Sequence, residues 1–550
     1  MDINMKKKAM VLLMSVVLMA GTVMGCGSGK DSGSKAQTET ETQAVDSEES
    51  GVDEKTADEG GSSSGEMDLI AGATTGFFGA ESLDVANGWD GWIMSIYGIS
   101  ENLFKLDENF QPQPWIAESY KNVDDTTWEF TIRDGVKFSN GKDVTAEAVK
   151  RCFERTYEQN DRADSTLKIE SMEADGQMLT IKIPELNATL LNDLCDPLLG
   201  IYDADEEADP ELGVVCTGPY AADSFDAMAD VKMSANKEYW GGEPKEDKVE
   251  LRIFDDEDAL EMALQNGEID LIAQASANIA SLFADSDDFV VEDVTETRTN
   301  FLMYNVEHPG MDDQAVREAV SYCVDRDSFA EVVYQGYASP SYGIYPENMA
   351  FGGTEGLENS VEKYDPAQAK KVLEDAGYTD SDGDGILDKD GIPLSFKAIT
   401  YSYNTECTQL ADMLQAEFVN AGMELSIETF DVLDDSLAAG DFDIAILSHA
   451  MAPTGTAQYF VNQMFTTGGN QNFGGYSNEK VDSLAKKLAV ETDADQTVSL
   501  TREICQEVLN DRAFDFVIHQ KLVMIYSSDV SGVEVNPTEY YLITNTIEKN

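Results

Sequence analysis

Histidine is nearly absent: His308, His449 and His519 are the only three in 550 residues. No H-E-x-x-H or Walker-type loop occurs, and G-x-S-x-G is met only at residues 61–65, inside a Ser/Gly-rich stretch with no strand pattern before it. The chain therefore shows neither a zinc-hydrolase helix, nor a serine-hydrolase elbow, nor a phosphate-cradling loop. Cysteine is sparse as well. There are seven, and none stands in a C-x-x-C pair, which argues against metal clusters and redox dithiols. Basic residues are scarce: 37 Lys and Arg face 105 Asp and Glu, for a net charge of −68. Such a balance argues against nucleic acid, whose phosphates require Lys and Arg, and against docking on anionic lipid heads. It describes a solvated acidic surface, with attraction of cationic ligands as the alternative. Beyond the N-terminal segment no apolar run approaches the ~20 residues that cross a bilayer. Without a nucleophile–base pair or a metal triad, an enzyme is not expected, nor a cofactor, nor a metal site.

What is present begins at the N-terminus. Lys6, Lys7 and Lys8 precede the apolar run Ala9–Ala20, which is too short to span a bilayer and reads as a targeting segment. Val23-Met24-Gly25-Cys26 resembles a bacterial lipobox, and the resemblance implies cleavage before Cys26 and lipid on its thiol. An ordinary secretory signal with an incidental cysteine is the alternative. Residues 27–66 contain no Leu, Ile, Phe, Tyr or Trp. Such a stretch cannot bury enough apolar area to offset its chain entropy, and it suits a tether.

The remaining ~480 residues have a globular composition and the length of two or three domains, and the alternation of strands and helices described next implies an α/β domain with a partly parallel sheet. "TWEFTIRDGVKFSNG" alternates Trp128, Phe130 and Ile132 against polar neighbours, with turns at Asp134-Gly135 and Asn140-Gly141. A helix follows, with Thr145 as N-cap. A second hairpin turns at Asp175-Gly176. Further on, strands and helices alternate. Asp313–Val324 is helical in pattern, "DPAQAKKVLEDAG" is a helix capped by Asp365 and stopped by Gly377, and a third helix stops at Gly422. "LSFKAITYSYN", "MELSIETF" and "FDIAILSH" are strands. In such folds ligands sit beyond the carboxyl ends of strands, here after Ile399 and Leu447. Cys152, Cys323 and Cys505 fall on helices, as buried thiols do, and a Cys195–Cys216 bridge is compatible with an extracytoplasmic chain. "TDSDGDGILDKDG" places Asp380, Asp382, Asp384 and Asp388 as an EF-hand would, but Gly391 stands where the bidentate Glu belongs. A tight turn is the expectation, calcium the alternative.

Three blocks carry a specific resemblance. "PQPWIAESYKNVDDTTWEFTIRDGVKFSNGKDVTAEAVKRCFE" is similar to the signature block of the family 5 solute-binding proteins of ABC transporters. T-G-P-Y at 217–220, N-x-x-Y-W-G-G at 236–242 and A-L-x-x-G-E-I-D at 263–270 follow in the family's order, and "TNFLMYNVEHPGMDDQAVREAVSYCVDRDSF" resembles its domain-crossing strand. The resemblance implies a two-lobed, periplasmic-binding-protein-like α/β fold of type II with an extra N-terminal subdomain. It divides the chain into a signal (1–25), a linker (26–66), lobe I (67–296, with a β-rich insert at about 106–211), lobe II (297–510) and a return to lobe I (511–550). It also implies a monomer outside the cytoplasm, lipid-anchored to the cell membrane, that hands its ligand to a permease and an ATPase. Trp240, Gly241, Gly242, Gly218, Pro219 and Asp270 are expected to be structural. The expected ligand contacts are Phe77, Phe78, Arg298, Tyr401, Tyr403, Asn404, His449, Thr454, Thr456, Gln458 and Tyr459. In peptide-binding relatives an aspartate pairs with the peptide ammonium where Thr456 stands, and nickel-binding relatives place a histidine near Gln458. Peptide is the first expectation, because the family is dominated by it. A nickel chelate or another small solute is the second, and a surface hydrolase the rival from another class.

Overall fold

The computed structural model describes residues 67–74, 79–227, 229–358 and 361–550. Its elements follow the sequence patterns closely where those patterns are local. Strand β1 (Leu69–Thr74) is apolar and buried on both faces, as a central parallel strand must be. Strands β2 (Ala117–Asp124) and β3 (Thr127–Ile132) form a hairpin that buries Phe130 and Ile132. Helix α1 (Ala146–Gln159) starts where the Thr145 hydroxyl accepts the Ala148 N–H at 3.2 Å. β4 (Ser171–Asp175) and β5 (Met178–Lys182) turn through Gly176, whose φ of +60° suits a residue without Cβ. These strands make a four-stranded sheet in the order β2-β3-β5-β4, with α1 packed on β4 and β5.

The rest builds one long sheet. Its strands are β6 (Tyr220–Asp226), β7 (Asp230–Ala235), β8 (Lys248–Phe254), β9 (Leu271–Ile272), β10 (Phe289–Tyr304), β11 (Ser395–Tyr401), β12 (Glu424–Phe430), β13 (Ile444–Ala450) and β14 (Phe514–Ser527). Helix α2 (Glu257–Gln265) follows β8. α3 (Pro366–Asp375) precedes β11, capped by Asp365 as expected, and α4 (Thr405–Ala421) joins β11 to β12 and stops at Gly422. The order across the sheet is β12-β11-β13-β10-β14-β9-β1-β8-β7-β6. β1 runs parallel to β8 and β9, and β11 parallel to β12 and β13. The antiparallel pair β10–β14 joins these two parallel halves.

Two lobes follow from the cores. One cluster gathers Leu69, Phe130, Phe153, Leu251 and Ile543. Two others gather Phe301, Phe460 and Phe516, and Phe329, Leu414 and Ile446. Along β14, Phe516–Ile518 pack in the second lobe and Leu522 and Met524 in the first. Packing of the second lobe thus extends past Asn510 to Ile518. Among the described residues no helix is long and apolar enough to cross a membrane.

The motif residues expected to be structural hold the first lobe together. The Trp240 indole and the Tyr239 hydroxyl donate to the buried Glu101 carboxylate at 3.0 and 2.8 Å. A Cβ on Gly218 would collide with the Gly98 carbonyl. Asp270 accepts the Ile70 N–H and the Lys549 ammonium, both at 2.8 Å. Cys195 and Cys216 are buried free thiols. In the acidic loop, Asp380, Asp382 and Asp384 are exposed and accept N–H groups of Gly383, Asp384, Gly385 and Ile386. These are the bonds of a tight Asp-Gly turn.

Candidate functional site: the crevice between the lobes

The lobes meet where β10 changes partners. Its first half, to Thr295, pairs with Lys521–Ser527 of β14, and its second half, from Thr299, pairs with Phe514–His519 and with β13. The register slips between Thr295 and Thr299, so Glu296, Thr297 and Arg298 occupy a bulge at the hinge. Arg298 donates Nε and Nη2 to the two oxygens of Glu539 at 2.8 and 3.0 Å. Burial alone would push Glu539 up, but Arg298 holds it below the ordinary carboxylate value. Burial and the Glu539 charge together push Glu296 well above its own.

Arg298 lies within electrostatic reach of Tyr401, Tyr403 and His449. Tyr401 and Tyr403 follow from the end of β11, with ring centroids 5.3 Å apart, and the Tyr401 hydroxyl lies 3.4 Å from His449 Nε2 at the end of β13. Burial, then Arg298, pushes His449 down to about 4, so its imidazole is neutral at neutral pH. Asn404 accepts the Cys407 N–H at 2.8 Å and caps α4.

The loop after β13 is clasped by the first lobe. The Tyr540 hydroxyl donates to the Pro453 carbonyl at 2.9 Å, and Asn192 Nδ2 to the Thr454 carbonyl at 2.8 Å. The Ala188 N–H reaches the Ala489 carbonyl at 3.1 Å. Gly455 has φ +77°, and a Cβ there would stand 2.5 Å from the Phe110 carbonyl. Phe110 itself packs into the second lobe's core. Thr454 Oγ1, Thr456 Oγ1 and Gln458 Oε1 are buried without a hydrogen-bond partner, an arrangement that ordinary packing avoids and a ligand can satisfy. Burial, then the nearby Asp196, raises Tyr459, with Arg162 of the first lobe opposing.

At its other end the crevice opens into a cavity of about 690 Å³. Its walls come from carboxyl ends of strands in both lobes: Thr74 after β1, Asp255–Glu257 after β8, Gln274–Ala277 after β9, and Tyr403–Glu406 after β11. Asp256 caps α2 through the Ala259 N–H at 2.8 Å, and Glu257 accepts the Ser276 hydroxyl at 2.8 Å. Burial raises Glu406, and Glu257 from the opposite lobe adds to it. Lys521, the lysine of this wall, is paired with Asp293 at 3.1 Å. Among the described residues, four acidic side chains therefore line the cavity against one lysine, which is paired with Asp293.

Of the residues expected from sequence, Arg298, Tyr401, Tyr403, Asn404 and His449 gather at the hinge end. Thr454, Thr456, Gln458 and Tyr459 gather in the clasped loop. Phe77 and Phe78 lie outside the described residues, as does Cys26. Glu296, Glu539, Tyr540, Asn192 and the acidic wall were missed. Asp255–Glu257 carried a signal, since they follow a strand that ends on Phe254. Glu539 carried none, because it comes from an irregular C-terminal segment with no periodicity.

The model of the middle part of the bacterial extracellular solute-binding proteins, family 5, matches residues 111–472. The chain belongs to that family. The nickel-binding protein NikA of Staphylococcus aureus is 30% identical over 455 residues, covering 82% of this chain and 90% of that one. The crystal structure of S. aureus NikA in complex with Ni(L-His)2 superimposes with a TM-score of 0.76 at 28% identity, covering 88% of this chain and all of that one. The oligopeptide-binding AppA of Bacillus subtilis, in complex with a nonapeptide, shares the fold with a TM-score of 0.74 at 21% identity over 88% of this chain and 98% of that one. The fold is the two-lobed type II α/β architecture of these binding proteins. Members of the family bind solutes outside the cytoplasm for ABC transporters and are not enzymes.

Proposed function

We propose that the chain is the lipid-anchored substrate-binding component of an ABC importer and that it captures a small cationic solute in the interlobe crevice, a one-to-one nickel–amino-acid chelate, which carries a single positive charge, before any other. The observation that carries this reading is the cavity wall of Asp255, Asp256, Glu257 and Glu406, opposed among the described lining residues only by the paired Lys521. A concave site of one sign concentrates ligands of the other. The loop after β13 supports the same choice. Where peptide-binding relatives hold an aspartate for the ammonium, this chain has the neutral Thr456, and a buried ammonium without a carboxylate costs several kcal/mol. A chelate brings its own donors to the metal and needs from the protein only hydrogen bonds. The unpaired side-chain oxygens of Thr454, Thr456 and Gln458 and the neutral His449 offer these.

A peptide is the second reading, favoured by Glu257 and Glu406, either of which can take an α-ammonium at the open end. Calorimetry with nickel–L-histidine against pools of di- to pentapeptides separates the two, and peptide binding without chelate binding reverses the order. The anchor has its own test. Cys26→Ser should remove the acylated form from the detergent phase, and unchanged partitioning rules the anchor out.

A further inference from the structure

Glu296 sits on the bulge where β10 leaves one lobe for the other. Its side chain is 1% exposed, and neither carboxylate oxygen meets a hydrogen-bond donor. The group it does meet is the carboxylate of Glu539. Two buried carboxylates so placed disfavour each other's ionisation, and Glu296 is the one raised. The charged and titratable groups around the pair come from several segments. Arg298 shares the bulge, Glu539 comes from the C-terminal segment, and Tyr334 faces Glu296 from the segment after Val333. Arg298 in turn faces Tyr401, Tyr403, Cys407 and His449.

This cluster crosses the boundary between the lobes. Arg298 is in register with Ala450 of the second lobe. Glu539 leads a segment whose Leu542, Ile543 and Ile547 pack in the first. The next residue, Tyr540, holds the Pro453 carbonyl of the second lobe. Glu539 also has φ +64°, a conformation a non-glycine residue keeps only when its surroundings impose it.

We propose that Glu296 and Glu539 are positioning residues for Arg298, and that one proton shared between them keeps the guanidinium on Glu539 and the lobes closed over the crevice. With that proton the trio is neutral: one guanidinium, one carboxylate and one carboxylic acid. Without it, two buried carboxylates compete for one guanidinium. The uncompensated charge then draws water into the hinge, and water enters as the lobes part. A carboxyl raised by closure contributes fully at low pH and loses its contribution as pH rises through the raised value. Closure is therefore expected to weaken towards alkaline pH. The proposal rests on the crevice being the ligand site, but its test needs no ligand.

The experiment uses the ligand-free full chain. Spin labels at Met262→Cys on α2 and Val419→Cys on α4, exposed positions in opposite lobes, report the interlobe distance by double electron–electron resonance. The distance should be short at pH 5 and lengthen towards pH 9. Glu296→Gln keeps the shape and the shared hydrogen without a titratable proton, and should hold the short distance throughout. Its Tm advantage over the parent should grow by about 1–3 °C across the same range. Glu539→Gln together with Glu296→Gln leaves Arg298 without a carboxylate and should give the long distance at every pH. The same pH course in the parent and in Glu296→Gln, for both distance and Tm, overturns the proposal. Failure of nickel–L-histidine and of peptides to bind would count against the ligand reading alone.

Discussion

At the clasped end of the crevice the lobes are joined by neutral groups: Tyr540 and Asn192 donate to the carbonyls of Pro453 and Thr454, and Gly455 lies against the Phe110 backbone. At the open end Glu257 and Glu406 face each other from opposite lobes across a cavity of about 690 Å³. One end closes by fit and hydrogen bonding, which salt hardly touches. The other carries like charges on both walls, a repulsion that salt would screen and a positive ligand would relieve. A trap built this way divides its tasks. On the proposed reading the neutral end sets how the lobes meet, and the acidic end sets what they close upon.

The sharpest way to break the comparison is at the clasped end. Gly455→Val puts a branched side chain where φ is +77° and the Phe110 carbonyl would stand 2.5 Å from its Cβ. Strain of about 2–3 kcal/mol falls on the closed form, so nickel–L-histidine affinity should drop ~30-fold or more by calorimetry, with an unchanged salt slope. The acidic end should respond differently. Glu257→Gln with Glu406→Gln should weaken the chelate about tenfold at low salt, and the loss should shrink as salt is added. A loss that is the same at every salt concentration would mean that the wall acts by shape. Tyr540→Phe removes one hydroxyl from the clasp. About 1 kcal/mol corresponds to a loss of several-fold in affinity, again without salt dependence. The smallest effect is a control for acidity outside a cleft. Asp380, Asp382 and Asp384 already accept backbone N–H groups, so chelator and millimolar calcium should leave Tm nearly unchanged. A rise of several degrees with calcium would make that loop a site.

The local devices were legible because their physics is local. Thr145 and Asp365 cap the helices they precede, Gly422 stops α4, and Gly176 makes a hairpin turn. Strand alternation placed Phe130 and Ile132 inside. The rule that ligands lie beyond strand carboxyl ends led to Tyr401, Tyr403 and His449, which the fold does bring together with Arg298. Applied after Phe254, it would have reached Asp255–Glu257 as well. The hinge acids were not legible. Glu296 sits in an alternating strand whose bulge shows only in the register of β10 against β14. Glu539 meets Arg298 across 241 residues, and nothing in either neighbourhood announces the other. The expected boundary at Asn510 precedes Phe514–Ile518, which pack with the second lobe, and a strand shared by two lobes has no compositional break to mark where one ends.

The central claim is that the acidic interlobe crevice selects a small cationic chelate. Titration calorimetry of the singly charged one-to-one nickel–L-histidine complex into the full chain at low and high salt tests it most directly. The account predicts saturable one-to-one binding that weakens as salt rises, with little or no heat from pools of di- to pentapeptides under the same conditions. Tight peptide binding with no response to nickel–L-histidine would contradict it.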